Sequence, residues 1–234
     1  MIGTPLMQPP NAKLPRSVGA VVFDMDGLIF NTEDIYRDAV MAIAAEASHD
    51  VPLPFYLSTV GLTGAATRLA FIERFGEGFD YDTFWSAASN RFAETVKSQL
   101  KLKAGVTELL DLLDELGLPR AICTSSRHED VRNNLALGGL VGRFQFVIAQ
   151  GDYIGSKPHP APFLKAAERL GVAPQSCLAL EDSYHGVRSA TGAGMMTIMV
   201  PDLFPPTDDM KELCVGIAQN LHEVCTLIAA QTRG

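Results

Sequence analysis

The sequence has few of the features that mark secreted, zinc-binding or membrane proteins. It contains four cysteines, which form no CxxC pair and no His/Cys cluster with zinc-ligand spacing. This pattern favours a reducing, cytoplasmic location over a disulfide framework. No apolar run approaches the roughly 20 residues that span a bilayer, so no membrane partner is predicted.

Positive charge is also scarce. The chain has 19 lysines and arginines against 27 aspartates and glutamates, which gives a formal net charge of −8. A broad surface for nucleic acid or anionic membrane is therefore disfavoured. Any anionic substrate would have to be held by local positive charge.

What remains is a chain of 234 residues, 47% of them hydrophobic, which suits one domain with an insertion or two modest domains. Residues 1–17 are proline-rich and lack the apolar core of a signal peptide, so we predict a flexible leader there. From residue 106 onward, short apolar runs alternate with single helices, which predicts βαβ crossovers and a parallel sheet. Predicted strands cover residues 17–24, 119–123, 144–150, 176–180 and 196–200, and predicted helices cover residues 105–117, 130–139, 162–171, 185–194 and 221–230.

Residues 34–101 break this alternation. They hold three predicted helices and no convincing strand, at residues 35–47, 65–76 and 83–100. We predict a helical domain inserted after the first strand of an α/β core that comprises residues 18–33 and 102–234. Such an insertion would lie over the carboxyl ends of the strands, where open α/β sheets bind ligands. Its aromatic residues at helical spacing are expected to pack in its own core, namely Phe84, Trp85 and Phe92.

The first candidate site is a pair of carboxylates at the end of the opening strand. Asp24 and Asp26 would point to the same face, roughly 6–7 Å apart, just before Gly27. Two carboxylates at this separation can flank one reacting group, one as attacker and the other as proton carrier or metal ligand. A simple turn is the alternative, because Asp and Gly favour turns.

Two further candidates follow later strands or the loops beyond them. Thr124 and Ser125 follow the second predicted strand, where a hydroxyl beside helix N–H groups suits an anion. Ser126 and Glu129 have the spacing of a capping box for the next helix. Lys157, in the sequence GSKPHP, is either a solvated loop lysine or a phosphate-binding residue.

The fourth candidate is Glu181-Asp182, after a further buried strand. A cap for the following helix is the alternative role of Asp182, although two acids at a buried strand end repel unless a positive group lies between them. All four candidates fall at one edge of the predicted sheet. Three groups there offer the hard oxygen ligands that suit Mg²⁺, namely Asp24, the backbone carbonyl of Asp26, and Asp182.

These four motifs, in this order on an alternating chain, resemble those of the haloacid dehalogenase superfamily over about residues 18–200. The stretches KPHPAPF and EDSYHGVRSATGAGM look most like the group with a helical C1-type cap, which includes sugar-phosphate phosphatases and β-phosphoglucomutase. The resemblance implies a Rossmann-like α/β core with an inserted all-helical cap.

The resemblance also implies roles for individual residues. Asp24 would be the nucleophile that forms an aspartyl-phosphate, and Asp26 would protonate the leaving alcohol and then deprotonate the attacking water. Thr124 and Ser125 would bind the phosphoryl oxygens. Lys157 would hold the charge of both Asp24 and the phosphate.

The cofactor implied by the resemblance is Mg²⁺, with Asp24, Asp26, Glu181 and Asp182 as its ligands. The implied partner is a small phosphorylated metabolite, and the protein itself is expected to be a monomer or a small homo-oligomer. The implied activity is hydrolysis of a small phosphomonoester, with a sugar phosphate as the expected substrate.

Departures from the related groups decide between activities. Dehalogenases lack the second acid of the first motif, so Asp26 argues against dehalogenation. Phosphonate hydrolases use a cap lysine, whereas no lysine lies between Asp34 and Val96. A binding protein that kept the fold without turnover is a third, less favoured alternative.

The runner-up activity is a phosphohexomutase of the β-phosphoglucomutase type. That enzyme has a histidine where this chain has Tyr36, and a phosphate-gripping arginine where the alignment places Gly64. Gly64 is still a predicted substrate-binding residue, because the two glycines of its loop allow the backbone to approach the leaving group closely. Arg68, one helical turn further on, would restore this grip or else be a solvated helix residue. Hydrolysis is therefore the preferred prediction.

Overall fold

The computed structural model describes residues 14–62 and 64–232, and these residues form two compact units. One unit, the core unit, consists of the described residues up to Phe30 and those from Leu102 onward. The other, the cap unit, spans Asn31–Lys101. Each unit has its own buried apolar centre.

The core unit is built on a six-stranded sheet in which every neighbouring pair is parallel. The strand order is β3-β2-β1-β4-β5-β6. This confirms the predicted parallel α/β sheet. The strands are β1 (Ala20–Phe23), β2 (Arg120–Cys123), β3 (Phe146–Ile148), β4 (Cys177–Glu181), β5 (Met196–Met199) and β6 (Gly216–Ile217).

Helices link these strands and cover the sheet. β1 is buried along its whole length, as expected for a central parallel strand with helices on both faces. Val22 of β1 lies opposite Ala121 of β2 on one side and Ala179 of β4 on the other. The helices of this unit are α5 (Val106–Glu115), α6 (His128–Leu137), α7 (Ala161–Leu170), α8 (Tyr184–Gly192), α9 (Asp208–Leu213) and α10 (Leu221–Thr232), with a 3₁₀ turn at Pro174–Ser176.

The direction of the strand order reverses at β1. From β1 the chain continues to β2 and β3 on one side of the sheet, and then returns to β4, β5 and β6 on the other side. Open α/β sheets bind ligands where the strand order reverses in this way. The residues that follow β1, β2 and β4 therefore gather at one place.

The secondary-structure elements among the described residues of the cap unit are all helices. It contains α1 (Thr32–Glu46), α2 (Leu53–Thr59), α3 (Gly64–Phe75) and α4 (Tyr81–Gln99). The sequence analysis predicted three helices and missed α2, because two prolines so close together, Pro52 and Pro54, are typical of a loop. Proline is nevertheless tolerated in the first turn of a helix, where its missing N–H has no intrahelical partner.

An aromatic cluster fills the centre of the cap unit. The ring of Phe71 is fully buried and contacts those of Phe84 and Trp85 at centroid distances of 5.5 and 5.8 Å. Phe92 packs against Tyr36 at 5.2 Å. The cap aromatics therefore pack together, as the helical spacing predicted.

The start of the described chain is held against the core unit. Leu14 is buried, and Gln231 of α10 donates hydrogen bonds to the carbonyls of Leu14 and Arg16. Within the predicted flexible leader, Leu14 is thus buried while Pro15 and Arg16 are exposed, and residues 1–13 lie outside the described residues. Within the described ranges, no helix is both long and apolar enough to cross a membrane.

Candidate active site

Asp24 stands at the end of β1 and is buried. Its backbone N–H donates to the carbonyl of Leu180 at 2.9 Å, so the pairing with β4 continues one residue past the strand. Its side chain is 9% exposed. Three residues later the chain turns at Gly27, where φ is +80° and an added Cβ would lie 2.4 Å from Oδ2 of Asp182. Glycine at this position therefore brings the first loop directly against Asp182.

Lys157 joins the ends of three strands. Its ammonium contacts Oδ1 of Asp24 and Oε1 of Glu181, each at 2.5 Å, and donates to the carbonyl of Cys123 at 3.0 Å. The side chain is 8% exposed. The alternative of a solvated loop lysine is therefore wrong, because this lysine is buried between two carboxylates.

Burial and charge together shift the pKa values of this group. Burial raises the pKa of Asp24 well above its usual range; the charge of Lys157 opposes this, and the carboxylates of Glu181 and Asp26 add to it. Burial alone would lower the pKa of Lys157, but Asp24 and Glu181 outweigh that effect and raise it well above its usual value. Lys157 therefore stays charged, and the carboxylates around it outnumber it.

Two hydroxyl groups from the loop after β2 hold Asp26. Thr124 and Ser126 donate to its Oδ2 at 3.2 and 2.6 Å. The predicted capping box of Ser126 and Glu129 is wrong, because α6 begins at His128 and its N-cap is Arg127, which makes no side-chain cap. The Ser126 hydroxyl bonds Asp26 instead of a helix N–H.

Glu181 is fully buried and bonded through both oxygens. Oε1 contacts Lys157, and Oε2 accepts from the hydroxyl of Ser183 at 3.1 Å and from its N–H at 3.4 Å. Ser183 is also the N-cap of α8, accepting from the N–H of Gly186 at 3.1 Å. The cap of this helix is thus Ser183 and not Asp182, which leaves Asp182 beside the site.

The carboxylates at this edge form a group that fits a divalent cation. Asp24, Glu181 and Asp182 are buried, and one oxygen from each lies within 4.8 Å of the others. Lys157 forms ion pairs with two of them, Asp24 and Glu181. Hard oxygen donors with excess negative charge are the set that Mg²⁺ prefers.

The structure thus brings together the core residues that the sequence predicted, but not every predicted residue. Ser125 is exposed and lies beside Tyr153. Gly64 and Arg68 belong to the cap unit, at the start of α3. There the guanidinium of Arg68 makes two hydrogen bonds to the carboxylate of Asp82, at 2.5 and 2.8 Å. The roles predicted for Ser125, Gly64 and Arg68 stay predictions.

Some residues around the site escaped the sequence analysis. The hydroxyl of Tyr153 donates to the carbonyl of Thr124 at 3.0 Å and so fixes the loop after β2. Gly186 is needed on α8, because a Cβ there would lie 1.9 Å from the carboxyl group of Glu181. A glycine in the first turn of a helix was the available signal for this close approach.

Comparisons with known proteins agree with this geometry. A family model described as haloacid dehalogenase-like hydrolase matches residues 21–200. Protein CbbY of Rhodobacter capsulatus is 32% identical over 202 residues, which cover 82% of this chain and 89% of that protein. Hexitol phosphatase B of Escherichia coli (strain K12) is 30% identical over 189 residues, which cover 80% and 85%.

Among solved structures, the crystal structure of CbbY from Rhodobacter sphaeroides in complex with phosphate has a TM-score of 0.72. It is 23% identical and covers 88% of this chain and 96% of that chain, which shows a shared fold. The family match extends over most of this sequence and includes Asp24, Lys157 and Asp182. The chain therefore belongs to the haloacid dehalogenase-like hydrolase family.

Proposed function

We propose that this protein is a magnesium-dependent phosphatase that hydrolyses small phosphomonoesters of the sugar-phosphate class. The observation that carries the proposal is the buried ammonium of Lys157 between Asp24 and Glu181, with Asp26 held beside them. A relative that covers most of this chain is named hexitol phosphatase B, which supports the substrate class. The four free cysteines support a cytoplasmic location.

In the first half of the reaction, a carboxylate oxygen of Asp24 attacks the phosphorus atom. The bond between phosphorus and the ester oxygen breaks, and the leaving alcohol takes a proton from Asp26. The hydroxyls of Thr124 and Ser126 keep this carboxyl group in place. Lys157 offsets the charge that would otherwise keep a carboxylate away from a phosphate dianion.

In the second half, water resolves the aspartyl-phosphate. Asp26, now ionised, takes a proton from the water molecule, whose oxygen attacks the phosphorus atom. The bond to Asp24 breaks, which releases inorganic phosphate and restores the carboxylate. Since Asp26 gives a proton in one half and accepts one in the other, it ends in its starting state.

The cation site would be formed by Asp24, Asp182 and the backbone carbonyl of Asp26. Glu181 lies in the same acidic group, but both of its oxygens already have donors, so its role would be to hold Lys157. A bound Mg²⁺ would neutralise negative charge on the phosphoryl group.

The test is phosphate release from a panel of sugar, sugar-alcohol and nucleoside monophosphates. Wild type is assayed with Mg²⁺ and with EDTA, and is compared with Asp24→Asn and with the exposed control Asp208→Asn. We expect metal-dependent release that Asp24→Asn abolishes and Asp208→Asn keeps. Circular dichroism shows whether each variant is folded.

Other outcomes would favour the other two activities. Conversion between sugar-phosphate isomers, primed by a bisphosphate and faster than phosphate release, would identify a mutase. Substrate binding without release or isomer conversion, unchanged in Asp24→Asn, would identify a non-catalytic binding protein. The Arg68–Asp82 pair within the cap unit favours hydrolysis over the mutase, because this guanidinium already has an anionic partner.

A further inference from the structure

Asp202 is an acidic residue that lies outside all four sequence motifs. It follows β5 at the carboxyl end of the sheet, and its side chain is 8% exposed. Its Oδ1 accepts a hydrogen bond from the ammonium of Lys103. Its Oδ2 is buried and has no hydrogen-bond partner among residues 14–62 and 64–232. Buried carboxylate oxygens are normally bonded, so Oδ2 requires a partner that the described residues do not supply.

The unpartnered oxygen faces the carboxylate of Asp182. A Cβ built on Gly27 would lie 3.1 Å from Oδ2 of Asp202 and 2.4 Å from Oδ2 of Asp182. Both oxygens therefore converge on the same point beside Gly27, and their separation cannot exceed the sum of these two distances. Two carboxylates this close repel unless a positive or hydrogen-bonding group lies between them.

Lys103 fixes Asp202 to the loop that carries Asp24. The N–H of Lys103 donates to the carbonyl of Ile29 at 2.9 Å, and Phe30 pairs with Leu102 in an isolated bridge. The segment before α5 is therefore attached to the loop after β1. From this position the ammonium of Lys103 binds one oxygen of Asp202 and leaves the other directed at the site.

We propose that Asp202 is an outer carboxylate of the magnesium site, and that its Oδ2 accepts a hydrogen bond from a water molecule on the ion held by Asp24 and Asp182. Mg²⁺ in proteins keeps several waters and is bound directly by one or two carboxylates. Groups that bond these outer waters orient the site and raise its affinity. The inference rests on the proposed function, since it requires that metal site.

The experiment measures Mg²⁺ binding without substrate. Isothermal titration calorimetry and the Mg²⁺-dependent shift in Tm are recorded for wild type, Asp202→Asn, Lys103→Gln and Asp208→Asn. In Asp202→Asn, Lys103 keeps the amide oxygen, so an NH₂ donor replaces Oδ2 and cannot accept from water. We expect the Kd for Mg²⁺ to rise roughly tenfold or more.

The other two variants separate this role from a structural one. Lys103→Gln removes a positive charge near the ion, so Mg²⁺ binding should be unchanged or tighter. Asp208→Asn removes an exposed carboxylate from the same segment of the chain and should bind as wild type does. If Asp202→Asn does not fold, Lys103→Gln decides the question, since weaker binding in that variant overturns the inference.

Failure of the inference is distinguishable from failure of the proposed function. A wild-type protein that binds no Mg²⁺ overturns both. Wild-type binding that Asp202→Asn leaves unchanged overturns the inference alone. Equal weakening in Asp202→Asn and Lys103→Gln also overturns it, because the pair would then only tie the loop in place.

Discussion

The hydroxyl of Ser126 donates a hydrogen bond of 2.6 Å to Oδ2 of Asp26. Thr124 donates to the same oxygen at 3.2 Å, and the N–H of Ser126 donates to the Thr124 hydroxyl at 3.1 Å. These three contacts orient the carboxyl group that we propose as the general acid and base. Proton transfer requires this group within hydrogen-bond reach of the leaving oxygen, so its orientation affects the rate.

Ser126→Ala should lower kcat for the preferred phosphomonoester more than it changes KM. A hydrogen bond to a charged group contributes about 1.5–3 kcal/mol, which corresponds to roughly tenfold to a hundredfold in rate. Steady-state kinetics measures this, with Ser98→Ala as the control, because Ser98 is exposed on α4 and its hydroxyl donates to a carbonyl of the same helix. A folded Ser126→Ala protein with wild-type kcat would show that the contact does not orient Asp26.

Lys157→Met should destabilise the fold and abolish hydrolysis. It would leave the buried carboxylates of Asp24 and Glu181 without their cation, a loss of about 3–5 kcal/mol. Urea denaturation measures the free energy of unfolding. The control is Lys165→Met, whose half-exposed pair with Glu168 contributes at most about 1 kcal/mol.

The double variant Lys157→Met with Glu181→Gln tests the same buried pair. Because Glu181→Gln removes one of the two charges that the lysine offsets, the double variant should be more stable than Lys157→Met alone. Residues in direct contact show coupling energies of about 0.5–3 kcal/mol. Strictly additive effects of the two substitutions would contradict the shared ion pair.

The strand ends of the site could be predicted from the sequence, whereas the contacts between side chains could not. Apolar runs mark β1, β2 and β4, and parallel strands end at one edge, so Asp24, Thr124 and Glu181 had to lie close together. The direction of Ser126 was not predictable, since the same hydroxyl could cap a helix or bond a carboxylate. The burial of Lys157 was equally hidden, because it depends on a loop that folds back onto the sheet.

The elements that the sequence missed are short. β6 has two residues and α9 has six, so neither is long enough to show a hydrophobic period. Asp202 lies between β5 and α9, and no motif marks it. Its importance follows only from its buried, unpartnered oxygen beside Asp182, which is a tertiary feature.

Gly186→Ala should destabilise the protein and lower its activity. The new Cβ would lie about 1.9 Å from the carboxyl group of Glu181, so Glu181 must move away from Lys157 or α8 must shift. Overpacking of this kind costs about 1–3 kcal/mol, which exceeds the gain of alanine over glycine in a helix. Thermal unfolding and phosphate release measure the two effects.

Gly192→Ala is the matched control on the same helix. Its added Cβ would have its nearest neighbour at 3.7 Å, an ordinary van der Waals distance. We therefore expect stability and activity close to those of wild type, with a small gain from helix propensity. If both variants behaved alike, the close approach of Gly186 to Glu181 would not be the cause.

Phe71 is the centre of the aromatic cluster in the cap unit. Its ring is fully buried. Besides Trp85, it contacts the rings of Phe55, Phe79 and Tyr81 at centroid distances of 5.1, 5.9 and 5.9 Å. Trp85 is the only tryptophan in the sequence. Its fluorescence therefore reports the folding of the cap unit separately from that of the core unit.

Phe71→Ala should lower the free energy of unfolding that Trp85 fluorescence reports by about 3–5 kcal/mol, because it leaves a cavity among packed rings. Leu69→Ala on the same helix removes a side chain that is 67% exposed and should change it by less than about 0.5 kcal/mol. Urea titrations followed by fluorescence give both values. Equal effects of the two substitutions would mean that packing around Phe71 does not determine the stability of the cap unit.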